Sequence, residues 1–151
     1  MDRLRKERNR WWLLALAVVW LGLIGFVSLN SSPPGSETLQ GFASWFPFPE
    51  TALRILQAVI HMFLFGVWAV LCMLTIRSFS PRMVWYVVLA ATLGVVFVAG
   101  GVIEIAQMWI PNRAADLLDF SGNMTGAVLF LGVWQRNHTR KFLDETADAR
   151  R

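Results

Sequence analysis

The sequence predicts an all-α protein, a polytopic bundle of four transmembrane helices with both termini in the cytoplasm. Three observations predict it. First, 56% of the 151 residues are hydrophobic and only 16% are charged, against about 45–50% apolar in an ordinary soluble domain. Second, most charges gather in two tails and leave long apolar stretches between them. A single domain of this length cannot hide so much apolar surface from water, whereas lipid accepts it. Third, Lys and Arg are abundant on one side of those stretches and scarce on the other.

A helix rises about 1.5 Å per residue and the hydrocarbon core is about 30 Å thick, so roughly 20 residues cross it. A basic cytoplasmic tail, residues 1–10, precedes the first span at 11–29, which carries no charge. That span exceeds a secretory h-region of about 7–15 residues and no small-x-small site follows it. An uncleaved span is expected, with a cleaved signal as the alternative. The second span, 53–76, is interrupted only by Arg54, Gln57 and His61 near its start. The third, 84–110, is uncharged until Glu104. The fourth, 116–134, begins polar and is apolar after Met124; residues 135–151 form a charged cytoplasmic tail. Each run is continuously apolar rather than alternating, which favours helices over strands.

The connections agree. Pro33, Pro34, Gly35, Pro47 and Pro49 break the chain between the first two spans. Trp45, Phe46 and Phe48 there suit a segment lying at the membrane interface. Pro81 marks a short turn, and Pro111 stops the third helix. Twelve of the fourteen Lys and Arg residues fall in the two tails and the second connection; only Arg54 and Arg113 flank the other face. The positive-inside rule therefore turns the 30–52 and 111–118 connections outward.

The net charge of +4 comes with no aromatic-and-basic pattern suited to bases, so membrane lipid, not nucleic acid, is the expected partner of the basic residues. Cys72 is alone, cannot form an internal disulfide and has no zinc spacing around it. No metal ligand set and no cofactor is predicted; ligation of a pigment or haem by His61 is a minor option, since no second ligand stands out.

The polar residues of the spans gather at one depth. His61 lies near the outer end of the second helix, Glu104 and Gln107 at the outer end of the third. Arg113 and Asp116 fall in the outer connection, and Asp119 and Asn123 open the fourth helix. Gln57 and His61 are spaced i,i+4, Glu104 and Gln107 i,i+3, and Asp116, Asp119 and Asn123 i,i+3,i+7, so each set shares a helix face. Polar faces are costly in lipid and should turn into the bundle. One reading is a polar site open to the outside. Arg113 would hold a phosphate or carboxylate, Glu104 or Asp119 would act as acid or base, and His61 would shuttle protons or ligate a metal. The other is a hydrogen-bonded cluster that fixes helix packing. Gly122-x-x-x-Gly126 suits close packing of the fourth helix, and Gly100-Gly101 a close contact or kink in the third. Asn123-Met124-Thr125 fits a glycosylation pattern but lies within a span.

The stretch Glu104-x-x-Gln107-x-x-x-Pro111-Asn112-Arg113, followed by Asp119-x-x-x-Asn123-x-x-Gly126, resembles the VanZ-like membrane family. His61 matches the histidine that the family carries in the preceding hydrophobic helix. The resemblance covers 53–134. Two departures stand out: Gln57 and Ala58 replace an Asp-Lys pair frequent before that histidine, and Asn112 replaces the Gly of a Pro-Gly-Arg turn. The family is named for a protein associated with teicoplanin resistance. The resemblance implies a bacterial inner-membrane protein of the cell envelope, binding an envelope glycan, a lipid headgroup or a lipid-linked precursor. The alternative is an accessory subunit of a larger membrane complex, without catalysis. An enzyme using the two carboxylates ranks last, because no nucleophile motif is present.

Overall fold

The computed structural model describes residues 2–30, 50–110 and 117–148. Within them the chain forms four helices: α1 (Asp2–Leu29), α2 (Glu50–Phe79), α3 (Trp85–Gln107) and α4 (Leu117–Asp148). Each contains a stretch long and apolar enough to cross a membrane: Asn9–Leu29, Ile55–Phe79, Trp85–Gln107 and Leu117–Asn137. The four-span membrane bundle expected from composition is thus the observed architecture. The interfacial segment expected around Trp45, Phe46 and Phe48 lies outside the described residues, as do Pro111, Arg113 and Asp116.

The helices run past the apolar stretches. α1 takes in the basic segment from Asp2, and α4 continues through the charged segment to Asp148. Neither segment contains Gly or Pro, and both are rich in Arg, Lys, Leu and Glu, which favour helix. α2 ends at Phe79, two residues before Pro81, whose ring disfavours helical geometry in the residue ahead of it. The third helix is shorter than its apolar run. After Gln107 the chain tightens into i→i−3 bonds, with the Met108, Trp109 and Ile110 amides donating to the Ile105, Ala106 and Gln107 carbonyls at 3.0–3.2 Å. Such bonds close a helix end before a proline.

α2 and α3 each touch all the other helices, whereas α1 and α4 flank them without meeting among the described residues. The middle of α1 offers no charged or amide side chain, so indoles supply its polar link to α2. Trp20 Nε1 donates to the Leu64 carbonyl at 2.9 Å and Trp68 Nε1 to the Ala17 carbonyl at 3.0 Å. The two bonds cross in opposite sequence directions, as antiparallel neighbours require. α3 and α4 are antiparallel too: Trp85 stacks on Trp134 at 5.9 Å and Phe97 meets Phe120 edge-on at 5.4 Å. Ile24, Phe65, Trp68, Met73, Val88, Val96 and Leu131 fill the interior. Val19, Phe26, Val98, Val102, Val128 and Val133 face outward, the exposure of large apolar side chains that a lipid surround accepts.

α2 and α4 run parallel in the most extensive interface of the bundle. A Cβ on Gly122 would lie 2.8 Å from the Ala58 carbonyl oxygen, and one on Gly126 would overlap the Met62 carbonyl. A Cβ on Gly66 would press into the Phe130 ring at 2.5 Å. The contacts climb both helices in steps of four residues, 58, 62 and 66 against 122, 126 and 130. Lipid gives no hydrophobic drive for helix association, so this small-residue seam holds the pair by van der Waals contact of the backbones.

Candidate functional site

The seam between α2 and α4 brings two polar faces together at one end of the bundle. Gln57 Nε2 donates to Asp119 Oδ2 at 2.7 Å. One turn deeper, His61 Nδ1 and Asn123 Oδ1 are 3.0 Å apart. Both pairs are separated by 62 residues, so the two i,i+4 spacings face each other rung for rung across parallel helices. With its hydrogen on Nδ1, His61 donates to Asn123, and its Nε2 lies 3.9 Å from Asp119 Oδ2. The Phe65 ring lies nearly parallel to the imidazole, 6.4 Å away at 12°, and forms an apolar floor one turn further in. His61 and Asp119 are each 3% exposed and Asn123 is fully buried.

α3 closes the layer. Glu104 and Gln107 are buried at 7% and 1% exposure, on the face their i,i+3 spacing predicts. Gln107 Nε2 donates to the Ser28 carbonyl of α1 at 3.0 Å, so all four helices contribute to the polar end. Gly100, one turn below Glu104, faces α4: a Cβ there would lie 3.3 Å from Asn123 Nδ2 and 3.5 Å from the Phe120 ring. Gly101 meets nothing within 4 Å, so only the first of the two glycines serves a close contact. Asn123 Nδ2 is buried and has no hydrogen-bond partner among the described residues.

Of the residues that the spacing singled out, His61, Asp119 and Asn123 meet directly, and Glu104 and Gln107 are buried from α3. Arg113 and Asp116 belong to the connection outside the described residues. Two participants carry little signal in the sequence. Ser28 contributes a backbone carbonyl, which no side-chain pattern reveals. Gln57 shares a face with His61, but only the helix register shows that it reaches Asp119.

The chemistry of the layer follows from its groups. Two carboxylates accept hydrogen bonds, three amides both donate and accept, and one imidazole offers a donor and an acceptor nitrogen. Both ring nitrogens of His61 face α4 side chains. The free thiol of Cys72 sits three turns along α2, about 16 Å away by helix rise. Among the described residues no group of three or more His, Cys, Asp or Glu side chains is placed to hold a metal ion.

These features define a small polytopic membrane protein with a polar layer buried at one end of four helices. The family model described as VanZ/LLP1 matches residues 11–138, and the chain belongs to the VanZ/LLP1 family. The match takes in α1 as well as the 53–134 stretch that carries the motif. No curated protein and no solved structure matches the chain.

Proposed function

We propose that the chain is a cell-envelope protein of a bacterial cytoplasmic membrane, and that its polar layer faces outward and binds the anionic glycan or lipid headgroup of an envelope component. The observation that carries this reading is the convergence of His61, Asp119 and Asn123 with Glu104 and Gln107, all buried and all at one end of the bundle. Ionisable groups inside a membrane are expensive and mark functional sites by default. The carboxylates and amides would engage sugar or glycerol hydroxyls. Arg113 would take the phosphate or carboxylate in a two-pronged contact. The distribution of Lys and Arg supports the outward direction.

The test is binding of a lipid-linked glycan precursor to the full chain in lipid nanodiscs, with Glu104→Gln and Arg113→Ala made singly. Each variant is expected to weaken binding at least tenfold, the scale of one lost charge-assisted bond. Cells carrying either variant should also change in glycopeptide sensitivity. Unchanged affinity in both folded variants overturns the reading.

A second reading, an accessory subunit of a larger membrane complex, draws support from the bonds Gln57–Asp119 and His61–Asn123. There the polar side chains satisfy one another and serve as interhelical glue. Purification from native membranes in mild detergent separates the two: a chain running alone, with no companion, counts against the subunit.

A further inference from the structure

A second concentration of charge lies at the opposite end of the bundle, about 27 Å along α2 from His61 by helix rise. Arg10 of α1 lies over the Phe79 ring, 5.3 Å from its centroid, and Arg77 of α2 lies over Trp85 at 5.5 Å. Arg82 is exposed in the turn between α2 and α3. Residues 79–83 line an open groove of about 500 Å³ there. Trp134 of α4 stacks on Trp85 and Trp11 of α1 meets Phe79 edge-on, so an aromatic layer drawn from four helices carries two guanidinium groups, those of Arg10 and Arg77, and Arg82 lines the groove beside Phe79.

Among the described residues the charge at this end is only partly balanced: Glu7, 3.5 Å from Arg10, is the one carboxylate paired there. Arg77 and Arg82 have no ion-pair partner among the described residues. A guanidinium has five N–H donors in a planar fork, more than one ring contact engages, so a phosphate can still be met in two-pronged fashion. Tryptophan layers mark the level of lipid headgroups, where phosphate is the abundant acceptor. The groove combines an arginine with the apolar walls of Phe79, Pro81 and Met83, so it offers charge to a headgroup and an apolar path to the chains below it.

We infer that this groove is a binding site for an anionic phospholipid, with Arg77 and Arg82 meeting the headgroup phosphate and Phe79 and Met83 lying along the glycerol and acyl region. The site is separate from the polar layer and requires neither the proposed ligand there nor a particular orientation in the membrane.

The experiment uses the full chain reconstituted with an equal mixture of phosphatidylglycerol and phosphatidylcholine. Lipids retained after release from the membrane are identified by native mass spectrometry. The unmodified chain should retain phosphatidylglycerol in preference, and less of it as salt is raised. Arg77→Gln with Arg82→Gln should reduce that preference roughly ten- to thirty-fold, the scale of two basic residues near an anionic surface. Arg82→Gln alone, at an exposed turn position, should lower it by several fold and keeps the test open if the double variant fails to fold. Equal retention of the two lipids by the unmodified chain overturns the inference. So does an undiminished preference in a folded variant.

Discussion

The contact between His61 and Asn123 is the most consequential single pairing in the molecule. Neither side chain meets water, and in hydrocarbon an unpartnered amide costs roughly 2–7 kcal/mol. The measured strength of interhelical bonds in membranes is smaller, about 0.6 kcal/mol on average and up to about 1.7, because an unassembled helix also finds partners. His61→Phe and Asn123→Leu each keep the side chain's branching or ring shape, add some bulk, and remove the bond. Each should lower resistance to unfolding by about 1–2 kcal/mol in a reversible detergent titration, and the double variant should lose less than the sum. Strict additivity would show that the 3.0 Å contact carries no energy of its own. The same scale explains what spacing alone made readable. The i,i+4 and i,i+3 intervals of Gln57, His61, Glu104 and Gln107 assign faces, and buried faces must turn inward, so most of the layer was legible. Ser28 was not, because its contribution is a carbonyl that every residue owns.

Between helices, glycine decides the geometry. The α2–α4 seam leaves no space for a methyl group at Gly126, while Gly132, on the same helix, meets nothing within 4 Å. Gly126→Ala should therefore destabilise the bundle by about 1–3 kcal/mol or more. Gly132→Ala should stabilise it by up to about 1 kcal/mol through helix propensity. Opposite signs in one unfolding assay confirm the seam; equal effects would refute it. Gly122-x-x-x-Gly126 announced close packing in the sequence, but not its partner. The partner surface is Ala58, Met62 and Gly66, in which only one residue is a glycine; Gly122 and Gly126 meet the backbone carbonyls of Ala58 and Met62, and Gly66 meets the Phe130 ring. Helix lengths were only partly legible for a related reason. Hydropathy marks where lipid ends, whereas a helix continues through polar residues that favour it, so α1 and α4 extend well beyond their apolar stretches.

At the level of the whole molecule, four crossings bring the chain's two ends to the same face, and the charge distribution predicts that this face is cytoplasmic. With Cys72→Ala as background, single cysteines at Glu37→Cys, Arg3→Cys and Asp148→Cys provide the measurement. In intact cells a membrane-impermeant thiol reagent should label only the first. Labelling of either terminal position would reverse the orientation and carry the polar layer to the inner face. The span count was legible because composition alone separates lipid-facing from water-facing segments. The packing order, with α2 and α3 central and α1 and α4 apart, was not, since below the polar end every span is apolar on all sides and offers no face that names its neighbour.

The parallel pairing of α2 and α4 also sets the order in which the protein is completed. Parallel neighbours cannot be joined by a short turn; the chain must leave through α3 and return before the second strip of the seam exists. His61 therefore enters the bilayer well before Asn123 has been synthesised, and α4, the least apolar of the four spans, arrives with Asp119 in its first turn. α2 presents the complementary face: Gln57 and His61 pair with Asp119 and Asn123, and the strip at 58, 62 and 66 packs against Gly122, Gly126 and Phe130. The polar layer thus closes only when α4 arrives, and a nascent chain halted before α4 would hold its histidine in the bilayer without its eventual companion.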